Sequence, residues 1–258
     1  NEGMILNKSK DERLLRDATK ISVTILKQLG EMIKEGITPL DIDTYAAVLC
    51  KKYCVEPSFK EVDGYNFNTC ISVNEVAVHG IPKDIPLKKG DLVSIDFGII
   101  HKGIYTDHCW TWSIGVPSKE NERLINAGRE AVESCIPLAI SGNYTGDLGN
   151  QMESVAKENG FNILKMFVGH GIGKTLHDTP DIPAYGKKGT GSLLVDGMVI
   201  CIECQVVNDN GKVSLDDDGW SIRTLNGGMS VMYEYMIFVG KEKPTVLTDT
   251  RDWDTVIQ

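Results

Sequence analysis

The stretch Gly90-Asp91-Leu92-Val93-Ser94-Ile95-Asp96 decides the fold, because a near copy, Gly197-Met198-Val199-Ile200-Cys201-Ile202-Glu203, follows it roughly a hundred residues later. Each copy is a glycine turn and then an apolar run that predicts a buried β-strand ending in an acid. Such an acid is costly unless something pairs with it. A second acid follows each copy, at Asp107 and Glu234, and His170 precedes the second copy. This pattern indicates a shared metal centre.

Weaker echoes run through the chain in mostly the same order. Glu12-Arg13-Leu14-Leu15 returns as Glu122-Arg123-Leu124-Ile125, and His79-Gly80-Ile81-Pro82 returns as His170-Gly171-Ile172-Gly173. This period is too long for a solenoid repeat. The echoes therefore predict an internally duplicated fold, in which two similar halves pack face to face.

Bulk composition is typical of a compact cytoplasmic enzyme. The chain has 258 residues, 41% hydrophobic and 24% charged, which are ordinary globular values and allow a sizeable core. It has no apolar run that could span a bilayer and no signal peptide at its start. The net charge of −9 argues against nucleic-acid binding, and the seven scattered cysteines are typical of reduced thiols. We expect one domain over 4–258, with halves of about 10–115 and 119–240, and interpret 1–3 as an expression remnant before Met4.

Hydrophobic periodicity predicts helices and strands in the same order in both halves. Thr38, Pro39 and Asp41 are typical of an N-cap, the first helical position and an acid in the first turn. The glycine-rich stretch 187–192 is expected to be a loop. The predicted helices are 10–34, 39–52, 119–140 and 147–159, and the predicted strands are 70–73, 77–79, 92–100, 163–169, 198–207 and 232–239.

Three other motifs have ordinary explanations. Gly171–Thr175 looks like part of a phosphate-binding loop, but Val168 stands where that pattern needs glycine. Cys201 and Cys204 should point to opposite faces of a strand, which makes a thiol metal or redox site improbable. The sequence Asp216-Asp217-Asp218-Gly219 lacks the rest of a calcium loop and is expected to be an exposed turn.

The candidate ligands matter as a set. Any one strand-end acid is more often a cap or an ion-pair partner, and a buried histidine is often satisfied by a carbonyl. Together, four acids and a neutral imidazole suit two hard or borderline divalent ions that share bridging carboxylates. The set consists of Asp96, Asp107, His170, Glu203 and Glu234.

At these residues the chain resembles the methionine aminopeptidases, specifically the bacterial type I form, over nearly its whole length. The resemblance is strongest in Cys70–Glu75, in His79–Pro82 and in Gly169–Gly173 with His177. It implies an α/β fold of the pita-bread type, with two pseudo-symmetric halves, central antiparallel sheets and outer helices. The interval from 203 to 234 is too short for the helical insertion of type II enzymes.

The resemblance also implies the activity. The activity is hydrolytic removal of the initiator methionine from nascent proteins. Two divalent ions, of Co, Mn, Fe, Zn or Ni, would activate the attacking water. In this scheme Asp107 and Glu234 bridge the ions, and Glu203 also transfers protons. His177 polarises the scissile carbonyl and His79 contacts the substrate backbone. The substrate pocket implied by the resemblance is formed by Phe59, Val62, Asp63, Tyr65, His79, Leu176, His177 and Trp220.

Further expectations come from the same resemblance. A monovalent cation, Na or K, would bind the backbone carbonyls of Asn74, Val76 and Ser230. The protein would act as a monomer on nascent peptides, with the ribosome as a possible partner and with no DNA or membrane binding. The loop 210–226, however, carries more acids than bases, which opposes docking to ribosomal RNA.

Three neighbours of the ligands depart from the family pattern. Cys204, Met232 and Tyr235 stand where the family usually has Pro, Gln and His. Neighbours of ligands orient them and tune the metal. Activity level and metal preference therefore depend on these positions. Val62 and Leu176 replace aromatics that are usual in the pocket.

Two other functions compete with this one. A prolidase or aminopeptidase P of the same fold is one alternative, although such enzymes usually carry an extra N-terminal domain. A non-catalytic peptide-binding relative is the other, but these typically lose metal ligands, and every ligand position is kept here.

Overall fold

The computed structural model describes residues 10–258, so the expression remnant predicted at 1–3 lies outside the described residues. None of the helices in this part of the chain is long and apolar enough to cross a membrane. The helices are α1 (Lys10–Glu31), α2 (Pro39–Lys52), α3 (Lys119–Glu133) and α4 (Thr145–Glu158), with single 3-10 turns at Ser58–Glu61 and Ile136–Leu138. The strands are β1 (Glu56–Pro57), β2 (Cys70–Val73), β3 (Val76–Val78), β4 (Leu92–Phe97), β5 (Ile99–His101), β6 (Ile104–Tyr105), β7 (His108–Ile114), β8 (Asn162–Ile163), β9 (Gly169–Gly171), β10 (Asp178–Ile182), β11 (Val199–Val207), β12 (Val213–Leu215), β13 (Ile222–Thr224), β14 (Ser230–Phe238), β15 (Thr245–Val246) and β16 (Val256–Ile257).

One large sheet dominates the fold. Its strand order is β10-β9-β11-β14-β7-β4-β2, and neighbours along this path are antiparallel. The strands from the two predicted halves meet where β7 pairs with β14. Outward from this seam, β4 and β2 lie on one side and β11 and β9 on the other. This order fits the predicted duplication, although the duplication itself stays a prediction.

The helices cover one side of the sheet and bury its apolar residues. The pair α1 and α2 packs in the first half, where α1 contacts β4, β5 and β6. The pair α3 and α4 packs in the second half, where α3 contacts β11 and β14. Both β11 and β14 are buried along their whole length, as their nearly unbroken apolar sequences require. This mixed α/β architecture confirms the predicted fold class.

Most predicted elements occur with small shifts of their ends. Helix α2 begins as predicted, with Thr38 and Asp41 forming a reciprocal capping box and Pro39 in the first turn. Helix α3 ends at Glu133, earlier than predicted, since Pro137 cannot continue an α-helix.

The predicted strand 163–169 is wrong. The structure has only the short strands Asn162–Ile163 and Gly169–Gly171 there, and the residues between them form a loop. An apolar run of this length does not by itself distinguish a strand from a buried or half-buried loop.

Candidate metal centre

A single lateral row of side chains crosses five neighbouring strands of the large sheet. Direct cross-strand partners connect Cys70 on β2, Asp96 on β4, Cys109 on β7, Glu234 on β14 and Glu203 on β11. Directly opposite residues point to the same face of a sheet. Strand register therefore brings three of the predicted ligand carboxylates together.

Asp107 and His170 complete the cluster from neighbouring positions. Asp107 lies just before β7, and His170 lies on β9 opposite Cys201. The Nε2 atom of His170 is 3.5 Å from Asp107 Oδ2 and 3.9 Å from Glu234 Oε2. Its Nδ1 donates to the carbonyl oxygen of Gly171 at 2.9 Å, which leaves Nε2 as the acceptor that faces the acids. A metal-binding histidine is typically oriented in this way.

Three of the four acids in this cluster have carboxylate oxygens without the partners that buried carboxylates need. Among residues 10–258, Asp96 Oδ1, Asp107 Oδ1 and both carboxylate oxygens of Glu234 are buried without a hydrogen-bond partner. Burial raises the pKa of Asp107 and of Glu203 to about 8, and raises the pKa of Asp96 and of Glu234 well above the ordinary range. Divalent cations would supply the missing partners and favour the ionised carboxylates. The donor set therefore fits a metal centre of hard or borderline ions.

Cys201 is an additional member of this cluster. One ligand atom each from Asp107, His170, Cys201 and Glu234 lies within 4.8 Å of the others. Cys201 and Glu203 are two residues apart on β11 and therefore share a face, a relation that is readable from the sequence. Burial and the neighbouring acids keep the pKa of the Cys201 thiol well above its usual value.

The backbone around both His-Gly pairs is tightly constrained. A Cβ added to Gly80 would lie 2.3 Å from the carbonyl oxygen of Ile71, and one added to Gly171 would lie 2.1 Å from that of Thr179. His79 itself has a φ of 55°, which is a left-handed conformation that non-glycine residues seldom adopt. Strain of this kind persists where the surrounding structure enforces it and points to function.

Three histidines lie close to the acids. The rings of His170 and His177 have centroids 4.4 Å apart, and the ring of His79 meets that of Phe167 edge-on at 5.1 Å. His177 is exposed at the rim of the site, and His79 is half-buried. Desolvation of the imidazole rings lowers the pKa of both His79 and His177, and the neighbouring histidines lower that of His177 further. Both imidazoles are therefore neutral at pH values where an unperturbed histidine begins to titrate.

A cavity of about 340 Å³ opens onto the acids. This volume is in the range of small-molecule sites. Its apolar wall includes most of the predicted pocket residues, with the ring of Trp220 edge-on to Tyr65 at 5.0 Å. The lining residues are Phe59, Val62, Tyr65, Cys70, His79, Asp96, Asp107, Met166, Phe167, Val168, His170, Leu176, His177, Glu203 and Trp220.

The lining differs from the prediction at two places. Asp63 is exposed and does not line the cavity, since a turn in which the Tyr65 N–H donates to the Val62 carbonyl carries it outward. Met166, Phe167 and Val168 line the cavity, although sequence reasoning missed them. They lie in the loop that was predicted to be a strand.

The three departures from the family pattern fall on different faces. Met232 is directly opposite Gln205 on the face that carries Glu203 and Glu234. Cys204 and Tyr235 each follow a ligand directly and point to the other face. There the hydroxyl of Tyr235 donates to Glu133 on α3 at 2.8 Å.

Two of the three residues predicted to bind a monovalent cation, Asn74 and Ser230, are in contact at one end of β14. The N–H of Ser230 donates to the carbonyl oxygen of Asn74 at 3.1 Å, and Val76 follows Asn74 on β3. The hydroxyl of Ser230 is buried without a partner among the described residues.

Comparison with known proteins identifies close relatives. Residues 13–241 match the model of metallopeptidase family M24. The methionine aminopeptidase of Clostridium perfringens is 37% identical over 246 residues, which cover 95% of this chain and 99% of that protein. The crystal structure of the methionine aminopeptidase of Thermotoga maritima superposes with a TM-score of 0.92 at 34% identity, covering 96% of this chain and 99% of that one. The prolidase of Pyrococcus furiosus has a TM-score of 0.78 at 22% identity, and this chain covers 66% of it, so this likeness shows the fold alone.

Proposed function

The chain belongs to metallopeptidase family M24, and we propose that it removes the N-terminal methionine from proteins by metal-dependent hydrolysis. The observation that carries this proposal is the cluster of buried carboxylates beside a small apolar cavity, several of whose oxygens have no hydrogen-bond partner among the described residues. A cavity of this size accommodates one side chain rather than a long peptide. That arrangement suits an exopeptidase.

We propose that two divalent ions bind the cluster. The residues that would hold them are Asp96, Asp107, His170, Glu203 and Glu234. Bound there, the ions would make water acidic enough to ionise near neutral pH. Manganese, iron, cobalt, nickel and zinc all suit a mixed shell of oxygen and nitrogen ligands.

The protein's own side chains would move the protons and stabilise charge. Glu203 would accept the proton of the attacking water and later deliver one to the leaving amine. His177, neutral and at the rim of the cavity, would donate to the scissile carbonyl oxygen as negative charge develops on it. His79 would contact the backbone of the substrate near the same bond.

The apolar wall of the cavity would select the first side chain. Phe59, Tyr65 and Trp220 present aromatic surface to it. An unbranched thioether fills irregular apolar space and makes favourable sulfur–aromatic contacts, so methionine suits this wall. Val62 and Leu176 would confine the first side chain of the substrate less tightly than aromatic residues at these positions.

The remaining proposals concern the surroundings of the enzyme. We propose that it acts in the cytoplasm as a monomer on nascent chains, and that Asn74, Val76 and Ser230 bind a monovalent cation. The loop 210–226 gives little support for ribosome docking, because Arg223 is already paired with Asp216 and Glu75. Any contact with the ribosome would have to use another surface.

Peptide hydrolysis with and without a chelator tests the proposed function. We expect release of methionine from Met-Ala-Ser, no cleavage of Ala-Pro, and loss of activity in chelator that Mn²⁺ or Co²⁺ restores. Preferential cleavage of Ala-Pro would instead identify a proline-directed peptidase. Absence of cleavage of both peptides in metal-loaded protein would favour a non-catalytic binding protein.

A further inference from the structure

Gln205 lies beside the proposed proton acceptor. It is fully buried on β11, two residues beyond Glu203 and on the same face. Its amide nitrogen Nε2 donates to Glu203 Oε2 at 3.4 Å. The same nitrogen lies 3.4 Å from Sδ of Met232, its direct cross-strand partner. The amide of Gln205 therefore contacts both Glu203, the last acid of the row, and the apolar side chain of Met232.

If Gln205 only filled space, a glutamine at this buried position would reduce the stability of the fold. Its carbonyl oxygen Oε1 is buried without a hydrogen-bond partner among the described residues. An unpaired buried polar atom reduces stability, and an apolar side chain of the same shape would avoid this cost. The surroundings are suited to such a side chain, since Met232 packs with the buried residues Val78 and Cys109.

We propose that Gln205 is a positioning residue whose amide N–H holds the carboxylate of Glu203 in the orientation needed for metal binding and proton transfer. A carboxylate on a flexible side chain can rotate about its terminal bond. A donor fixed in the strand next to it restricts that rotation. Partners that orient ligands in this way typically contribute about 10- to 100-fold to metal affinity or activity. The role rests on the proposed function of Glu203.

The cross-strand pair offers a controlled experiment. Gln205→Met removes the donor and the unpaired carbonyl while keeping the length of the side chain. Met232→Gln alone is the matched control, and the double exchange Gln205→Met/Met232→Gln moves the amide to the opposite strand without changing composition. From there a long side chain can still reach its diagonal neighbour Glu203. The measurements are Mn²⁺ affinity by titration calorimetry, kcat and KM on Met-Ala-Ser, and urea unfolding of the metal-free protein.

The proposal predicts a specific combination of results. Gln205→Met should lower Mn²⁺ affinity and kcat by about 10- to 100-fold with little change in KM, while metal-free stability stays the same or rises. The double exchange should recover part of the loss. Unchanged Mn²⁺ affinity and kcat in Gln205→Met would overturn the role. So would a loss that metal-free instability accompanies, or no recovery in the exchanged protein. If wild type does not cleave Met-Ala-Ser, the proposed function fails, and the Mn²⁺ affinities still test Gln205.

Discussion

Once divalent ions are stripped from this protein, its free energy of unfolding should fall as the pH rises through neutrality. In the metal-free fold, burial raises the pKa of Asp107 and Glu203 to about 8, whereas in an unfolded chain such carboxyls titrate at about 4. The folded state therefore holds protons that the unfolded state has already released. The stabilisation that follows is fully present below the unfolded pKa and disappears as the pH rises through the folded pKa.

The size of the effect follows from proton linkage. Each additional proton held by the folded state changes the free energy of unfolding by about 1.4 kcal/mol per pH unit. Asp107 and Glu203 together should lower the free energy of unfolding by about 2 kcal/mol between roughly pH 7 and pH 8. Asp96 and Glu234, whose pKa values are also raised by burial, should add to this decrease. His79 and His177 act in the opposite direction, because their pKa values are lowered by burial. Their contribution is lost as the pH falls below about 6.5, which is outside this window.

Urea unfolding at a series of pH values in chelator measures this decrease directly. The same series in excess Mn²⁺ should be flat or should rise with pH, since bound cations keep the carboxylates ionised in the folded state. Asp107→Asn is the matched variant, because an amide of the same shape cannot titrate, and its chelated form should show a clearly shallower decrease. Metal-free stability that is constant or rises from pH 7 to pH 8 would refute the account of the buried acids, as would identical slopes with and without Mn²⁺.

Three further outcomes test the site. His177→Ala should keep its metal content and lose about two to three orders of magnitude in kcat. His170→Ala should instead lose bound metal. Equal metal loss in the two variants, measured by elemental analysis, would contradict the oxyanion role of His177. Leu176→Phe should sharpen the preference for Met-Ala-Ser over Leu-Ala-Ser by about 1–3 kcal/mol in relative kcat/KM, and an unchanged ratio would show that this position does not limit selectivity. Tyr235→Phe should lower stability by about 0.5–1.5 kcal/mol and leave kcat unchanged, because its hydroxyl contacts Glu133 on the helix side; a large decrease in kcat would place Tyr235 in the catalytic machinery instead.

Two of the ligand candidates could be singled out from the sequence because each is a local anomaly. An acid directly after a glycine turn and an apolar strand stands out, as Asp96 and Glu203 do. The order in which their strands pair is set by contacts between residues far apart in the chain, and no local pattern specifies it. The role of Cys109 as the link between Asp96 and Glu234 is visible only in the folded sheet.

The pocket shows where local patterns are insufficient. Phe59, Val62 and Tyr65, which the family resemblance places in the substrate pocket, line the cavity. Asp63, which the same resemblance places there, is directed into solvent by a tight turn. Met166 is 72% exposed and still lines the cavity, a position that neither hydropathy nor periodicity indicates.

The position of β14 has a consequence for the order in which the molecule can be built. Within the large sheet, β14 lies between β7 and β11 and so connects the strands of the first half to those of the second. In a growing polypeptide that has not yet reached Ser230, β14 is missing, so β7 and β11 would each lack a neighbour and present an apolar edge that invites association with other chains. Glu234 is also supplied only at this stage, which means that the acid cluster is completed among the last events of synthesis. The complete set of proposed ligands is therefore available only after Glu234 has been synthesised and β14 has paired with β7 and β11.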